Sequence, residues 1–70
     1  MEILIFKTDL QNIRHVRKLY PLLKPIQGIL KWNIDLEDCD RVLRIEAMDL
    51  SPRFIETVFR REGFYCKEME

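Results

Sequence analysis

The chain is poor in the residues that staple or clip small folds together. It holds two cysteines, one histidine, two glycines and three prolines in 70 residues. Cys39 and Cys66 are too few and too far apart in sequence for a disulfide framework or a zinc site. A single histidine, His15, leaves no local His-His or Cys-His cluster. No Gly-rich phosphate loop, Ser-His-Asp spacing or pair of carboxylates in a plausible cleft is present, so an enzyme is not expected. No apolar run approaches the ~20 residues of a membrane span. The start of the chain lacks the basic, apolar, small-residue progression of a secretory leader. Neither sign of charge is in excess, with 12 basic and 12 acidic residues. Binders of nucleic acid or anionic membranes need surplus Lys and Arg, so neither partner is expected. The charges read as interspersed along the chain, as on a solvated surface. A soluble cytoplasmic protein is the expectation. The length fits one domain over residues 1–70, near the lower limit for folding without staples.

What is present is a clear succession of hydrophobic periods. Met1 to Lys7 is short and rich in Ile, Leu and Phe, as in a central strand. Leu10, Ile13, Val16, Tyr20 and Leu23 then recur at helical spacing. Thr8 and Gln11, three residues apart, fit a capping box that starts this helix near Asp9. Asn12 and His15 would then lie one turn apart and exposed. Pro21 predicts a bend or early fraying, and Lys24-Pro25 ends the helix. After Gly28, the residues Leu30, Trp32, Ile34 and Leu36 alternate with polar ones, as in a strand with one buried face. Glu37 to Asp40 is a polar turn. Val42 to Ala47 is a second alternating strand, so the pair forms an antiparallel hairpin. Ser51-Pro52 opens a second helix, with Leu50 and Ile55 placed as a hydrophobic staple. Phe54, Ile55, Val58 and Phe59 form its apolar stripe. Gly63 closes it, and Phe64 to Met69 is a last short strand.

This order, βαββαβ, predicts a ferredoxin-like α+β sandwich with two helices on one face of a four-stranded antiparallel sheet. Within that layout the chain resembles the heavy-metal-associated domains of copper chaperones and metal-transporting ATPases. The resemblance spans nearly the whole chain. Val16, Gly28-Ile29, Ile34-Asp35-Leu36, Val42 to Ile45, Ser51 with Ile55, and Gly63-Phe64 carry it. It implies a metal loop of the form Met-Thr-Cys-x-x-Cys, whose two thiolates clamp a soft cation. Here that stretch reads Leu10-Gln11-Asn12-Ile13-Arg14-His15. Leu10 keeps the apolar anchor, while Asn12 and His15 replace both cysteines. An amide is a poor ligand for a soft metal, and one imidazole is no chelate. No metal or other cofactor is therefore expected at the degenerate positions Asn12 and His15. RNA-recognition domains share the layout, but strand three lacks the aromatic residues that stack bases.

Other chemistry-bearing residues have plain readings. Cys66 is expected to be a small buried hydrophobe, and Cys39 an unreactive surface thiol among acidic neighbours. Asp35, Glu37, Asp38 and Asp40 lack the length, turn glycine and terminal Glu of a calcium loop. On the sheet, Leu4 and Phe6 facing the helices would turn Ile3 and Ile5 to the open face. Val42, Tyr65 and Met69 would join them there. Such an apolar stripe marks a partner site, either another copy of the chain or a different protein. The leading expectation is a non-catalytic protein-interaction or self-assembly module acting through Ile3, Ile5, Val42 and Tyr65. The alternative is residual metal binding or transport through His15. A third class is a small-ligand sensor working as a dimer.

Overall fold

The computed structural model describes residues 1–69. Its elements run β1 (Glu2–Thr8), α1 (Ile13–Leu23), β2 (Ile29–Asp35), β3 (Val42–Ala47), α2 (Pro52–Arg61) and β4 (Cys66–Glu68). The four strands lie in the order β2-β3-β1-β4, all antiparallel. Among the described residues, no helix is long and apolar enough to cross a membrane.

Strand alternation sets which side chains enter the core. Leu4 and Phe6 of β1 and Leu43, Ile45 and Ala47 of β3 point inward and are buried. They meet Leu19 and Leu23 of α1 and Ile55 and Phe59 of α2. Leu50 and Ile55, the two staple positions, are both buried in this core, while Ser51 is the N-cap without a side-chain cap hydrogen bond. At the far end of α2, Gly63 has φ +83°. Gly63 N–H donates to Arg60 O and Phe64 N–H to Phe59 O, both at 3.0 Å. This is a Schellman close, and it needs the left-handed backbone that glycine supplies.

Several expectations are corrected. The first helix starts at Ile13, four residues later than expected near Asp9, and Asn12 is its N-cap in extended conformation. Thr8 does not cap it, because it is the last residue of β1, five positions before the helix, and its oxygen accepts from Leu10 N–H in the loop. Leu10 is fully buried from the loop, while Ile13 and Tyr20 are exposed. The buried row of α1 is Val16, Leu19 and Leu23. Pro21 does not fray the helix, since Lys24 N–H still reaches Tyr20 O at 3.0 Å. In β2 the register slips between Ile29 and Lys31, where a bulge turns Ile29 toward the core and leaves Leu30 57% exposed. Phe54 is 49% exposed, so the buried stripe of α2 rests on Ile55 and Phe59, with Val58 half-buried. The last strand starts at Cys66 rather than Phe64.

Charge is less evenly spread than its even tally suggests. Arg14, Arg17, Lys18 and Lys24 fall on or just after α1, and residues 13–24 contain no acid. Asp35, Glu37, Asp38 and Asp40 gather at the β2–β3 turn, and residues 35–40 contain no base.

Candidate functional site

The loop from Asp9 to Asn12 joins β1 to α1 and packs beside the β2–β3 turn. Local chemistry fixes each part of it. Thr8 N–H donates to Asp40 O at 3.0 Å, and Thr8 Oγ1 accepts from Leu10 N–H at 3.3 Å. Leu10 plugs into the core below. Asp9 Oδ1 accepts from Tyr65 N–H at 2.9 Å, tying the loop to the approach to β4. Arg41, at φ +49°, sends Nη1 to Leu36 O at 2.9 Å and makes a longer 3.5 Å contact with Gln11 O.

The two positions that replace the cysteines are used reciprocally. Asn12 Oδ1 accepts from His15 N–H at 3.1 Å, satisfying one of the orphan amides of the helix start. His15 reaches back, and its Nδ1 accepts from Gln11 N–H at 3.1 Å. This is a capping box with Asn and His in place of the usual Ser and Glu, its return bond falling one residue early. The imidazole is half-buried rather than exposed as expected, because its ring packs on Phe64 at a centroid distance of 5.4 Å. Phe64 in turn meets Phe59 at 6.4 Å, so the helix cap is linked to the core. With Nδ1 accepting, the ring proton sits on Nε2.

The cysteines lie elsewhere. Cys66 is buried opposite Thr8 in the β1–β4 ladder. Burial, then the nearby carboxylates of Glu56 and Asp9, push its thiol up to about 12. Cys39 is exposed in the β2–β3 turn. Its Sγ and the carboxylates of Asp38 and Asp40 lie within 4.8 Å of one another. These carboxylates have protein partners already: Asp38 Oδ1 accepts from Asp40 N–H at 2.8 Å, and Asp40 meets Lys7 Nζ at 3.4 Å. Sequence spacing alone shows this grouping only as an acidic turn.

The open-face residues divide. Ile5, Val42 and Met69 border one shallow cleft of about 330 Å³ with Asn33, Asp35 and Arg44. Ile3 is 48% exposed on the same strand as Ile5, opposite Glu46. Tyr65 does not join them. It borders a separate cleft with Glu56, Arg60 and Phe64 at the α2–β4 edge.

No protein-family model matches the sequence, and a search of curated proteins finds no match. Among solved structures, the chain is similar to the solution structure of the N-terminal domain of ZntA in its Zn(II) form. The TM-score is 0.81 at 12% identity, over 97% of this chain and 92% of that one. At that identity the likeness concerns the fold. Two helices on a four-stranded antiparallel sheet, superimposable over nearly the full length of both chains, give this protein a ferredoxin-like fold shared with that domain.

Proposed function

We propose that this chain is a non-catalytic module on a heavy-metal-associated fold, whose first loop is closed by the protein's own hydrogen bonds. It acts through protein contacts on the open sheet face around Ile5, Val42 and Met69, with Ile3 beside them and Tyr65 at the neighbouring edge. The observation that carries this reading is the reciprocal use of Asn12 and His15. A soft cation is held by paired thiolates that lose their protons to it. Asn12 offers a neutral amide oxygen, already engaged by His15 N–H. His15 has Nδ1 engaged by Gln11 N–H. A metal at Nε2 would need the other tautomer, which sets an Nδ1 proton against the Gln11 proton and breaks that bond. Asn12 and His15 therefore do not fit a soft cation.

The test is titration of the reduced protein with Cu(I) against a competing chelator. No stoichiometric complex is expected, and Zn(II) or Ni(II) should bind weakly at most and be lost on His15→Ala. A tight one-to-one Cu(I) complex would overturn the reading and restore a metal carrier. The contact face has its own check by sedimentation at high concentration. Ile5→Lys should remove association through this face and leave the circular dichroism unchanged. Association indifferent to Ile5→Lys would refute that part.

A further inference from the structure

The two edges of the sheet are finished differently. β4 is three residues long, and Glu68 N–H is taken by Glu56 Oε2 of α2 at 2.8 Å. That carboxylate closes the edge against a further strand. β2 is seven residues long and, among the described residues, pairs only with β3. Its other side keeps the unpaired N–H and C=O groups of an edge strand.

The register slip after Ile29 leaves Lys31–Asp35 as the regular part of this edge. Read as Lys31-Trp32-Asn33-Ile34-Asp35, that segment is charge-complementary to its own reversal. We propose that β2 pairs antiparallel with β2 of a second copy, about a two-fold axis through Asn33, so that one sheet runs through both chains. Lys31 of each copy then stands opposite Asp35 of the other. Trp32 stands opposite Ile34 on the helix side, and Asn33 faces itself. A two-fold axis normal to the sheet keeps side chains on their own face, so the centre must fall on a residue. Only the Asn33 centre brings Lys31 against Asp35. Shifting it one residue sets Lys31 against Asn33, or moves it past the end of β2 to Glu37.

The apolar side of the edge supports the same partner. Trp32 and Ile34 are only half-buried within one chain. Tyr20, whose ring lies 4.9 Å from that of Trp32, borders with Leu30 and Pro21 a cleft of about 510 Å³ along this edge. Pairing covers the exposed sides of Trp32 and Ile34, while opposite charges across the dyad set the register. This surface is separate from the open face proposed above, and failure of either leaves the other standing.

The experiment uses the full chain with Cys39→Ser, which removes the exposed thiol. Sedimentation at low salt from micromolar to millimolar concentration should show a monomer–dimer equilibrium. Lys31→Glu should weaken it roughly tenfold or more, because it sets like charges opposite each other twice. Adding Asp35→Asn should recover part of that loss. The amide oxygen can still accept from Glu37 and Asp38 N–H in the turn, while the repelling charge is gone. A purely structural role for Lys31 within one chain would give no such rescue. Asn33→Cys should form a disulfide-linked dimer on oxidation, since residues facing each other across antiparallel strands have Cα atoms about 4.5–5.5 Å apart, within disulfide range. Ile3→Cys at equal concentration should not. A chain that stays monomeric at millimolar concentration overturns the proposal. So does a dimer indifferent to Lys31→Glu, or an Asn33→Cys chain that does not cross-link. Dimerisation lost with Ile5→Lys but kept with Lys31→Glu places the contact on the open face and overturns the edge pairing.

Discussion

Replacing Asn12 by alanine tests how the first loop is held. Its Oδ1 accepts from His15 N–H, and His15 Nδ1 accepts from Gln11 N–H. Losing an N-cap side chain costs about 1 kcal/mol. His15→Ala removes a bond at the surface worth about 0.5 kcal/mol and a ring contact with Phe64 worth about 0.5–1 kcal/mol. Both side chains hold the same turn. The double variant should therefore lose less than the sum, with a coupling of about 0.5 kcal/mol. Asn12→Asp separates the acceptor role from any other. It keeps the oxygen and adds a negative charge at the helix start, so stability should hold or rise by a few tenths of a kcal/mol, roughly. Urea unfolding at equal m-value measures all four proteins. Thermal unfolding should follow, with about 4–8 °C for each kcal/mol in a domain of this size. An Asn12→Ala protein within about 0.3 kcal/mol of the parent would refute the reasoning. So would an Asn12→Asp protein as weak as Asn12→Ala.

Three further outcomes are expected. Gly28→Ala should cost about 2–3 kcal/mol, because φ is +100° and the new Cβ would sit 2.7 Å from Met48 O, a backbone atom that cannot step aside; Gly63→Ala meets open space and should cost only about 1 kcal/mol, for its left-handed φ of +83°, and thermal unfolding of the two variants side by side tests the contrast. The Cys66 thiol keeps its proton in the fold up to about 12 but loses it near 9.0 when unfolded, so between those values the folded state binds more protons and stability falls as pH rises; Cys66→Ala should flatten this part of the pH profile relative to the parent, and an unchanged difference across that window would count against the buried thiol. Installing both Asn12→Cys and His15→Cys should weaken the metal-free protein and create a thiolate pair at a helix start, where thiol pKa values fall; tight Cu(I) uptake by this variant alone is expected, and none would show that the loop geometry itself is unsuited to a clamp.

The fold was legible because its elements announce themselves locally. The strict alternation of Val42 to Ala47, the Ser51-Pro52 start and the Gly63 close each depend on neighbours within a few residues. The start of α1 was misread for the opposite reason. Thr8 and Gln11 have the spacing of a capping box, but Thr8 is held at the end of β1, its N–H donating to Asp40 O and its hydroxyl to Arg41 O, a group 33 residues away. No local pattern reports that long-range anchoring, which leaves the helix start to Asn12. The bulge after Ile29 is likewise a matter of pairing with β3, and it sends Leu30 outward against a clean alternating pattern. Phe54 shares its stretch of α2 with three other apolar residues, Ile55, Val58 and Phe59, and the sheet covers only one side of the helix. At the candidate site, the exchange of both cysteines for Asn12 and His15 was visible in the sequence. Their mutual hydrogen bonding was not, since it depends on the extended backbone at Asn12.

The gathering of bases on α1 and of acids in the β2–β3 turn makes the net charge a poor guide to how this molecule meets others. At its sequence pI of about 6.6 the whole molecule has no monopole to attract or repel a neighbour. It keeps a multipole, and fields from such patches act over roughly one Debye length, about 8–10 Å in ordinary buffer. Encounters are therefore orientation-dependent: an anionic surface draws the Arg14, Arg17, Lys18 and Lys24 side, and a cationic one draws the turn. The protein should be retained on both anion- and cation-exchange media in dilute buffer near neutral pH. Modest salt should release it from each.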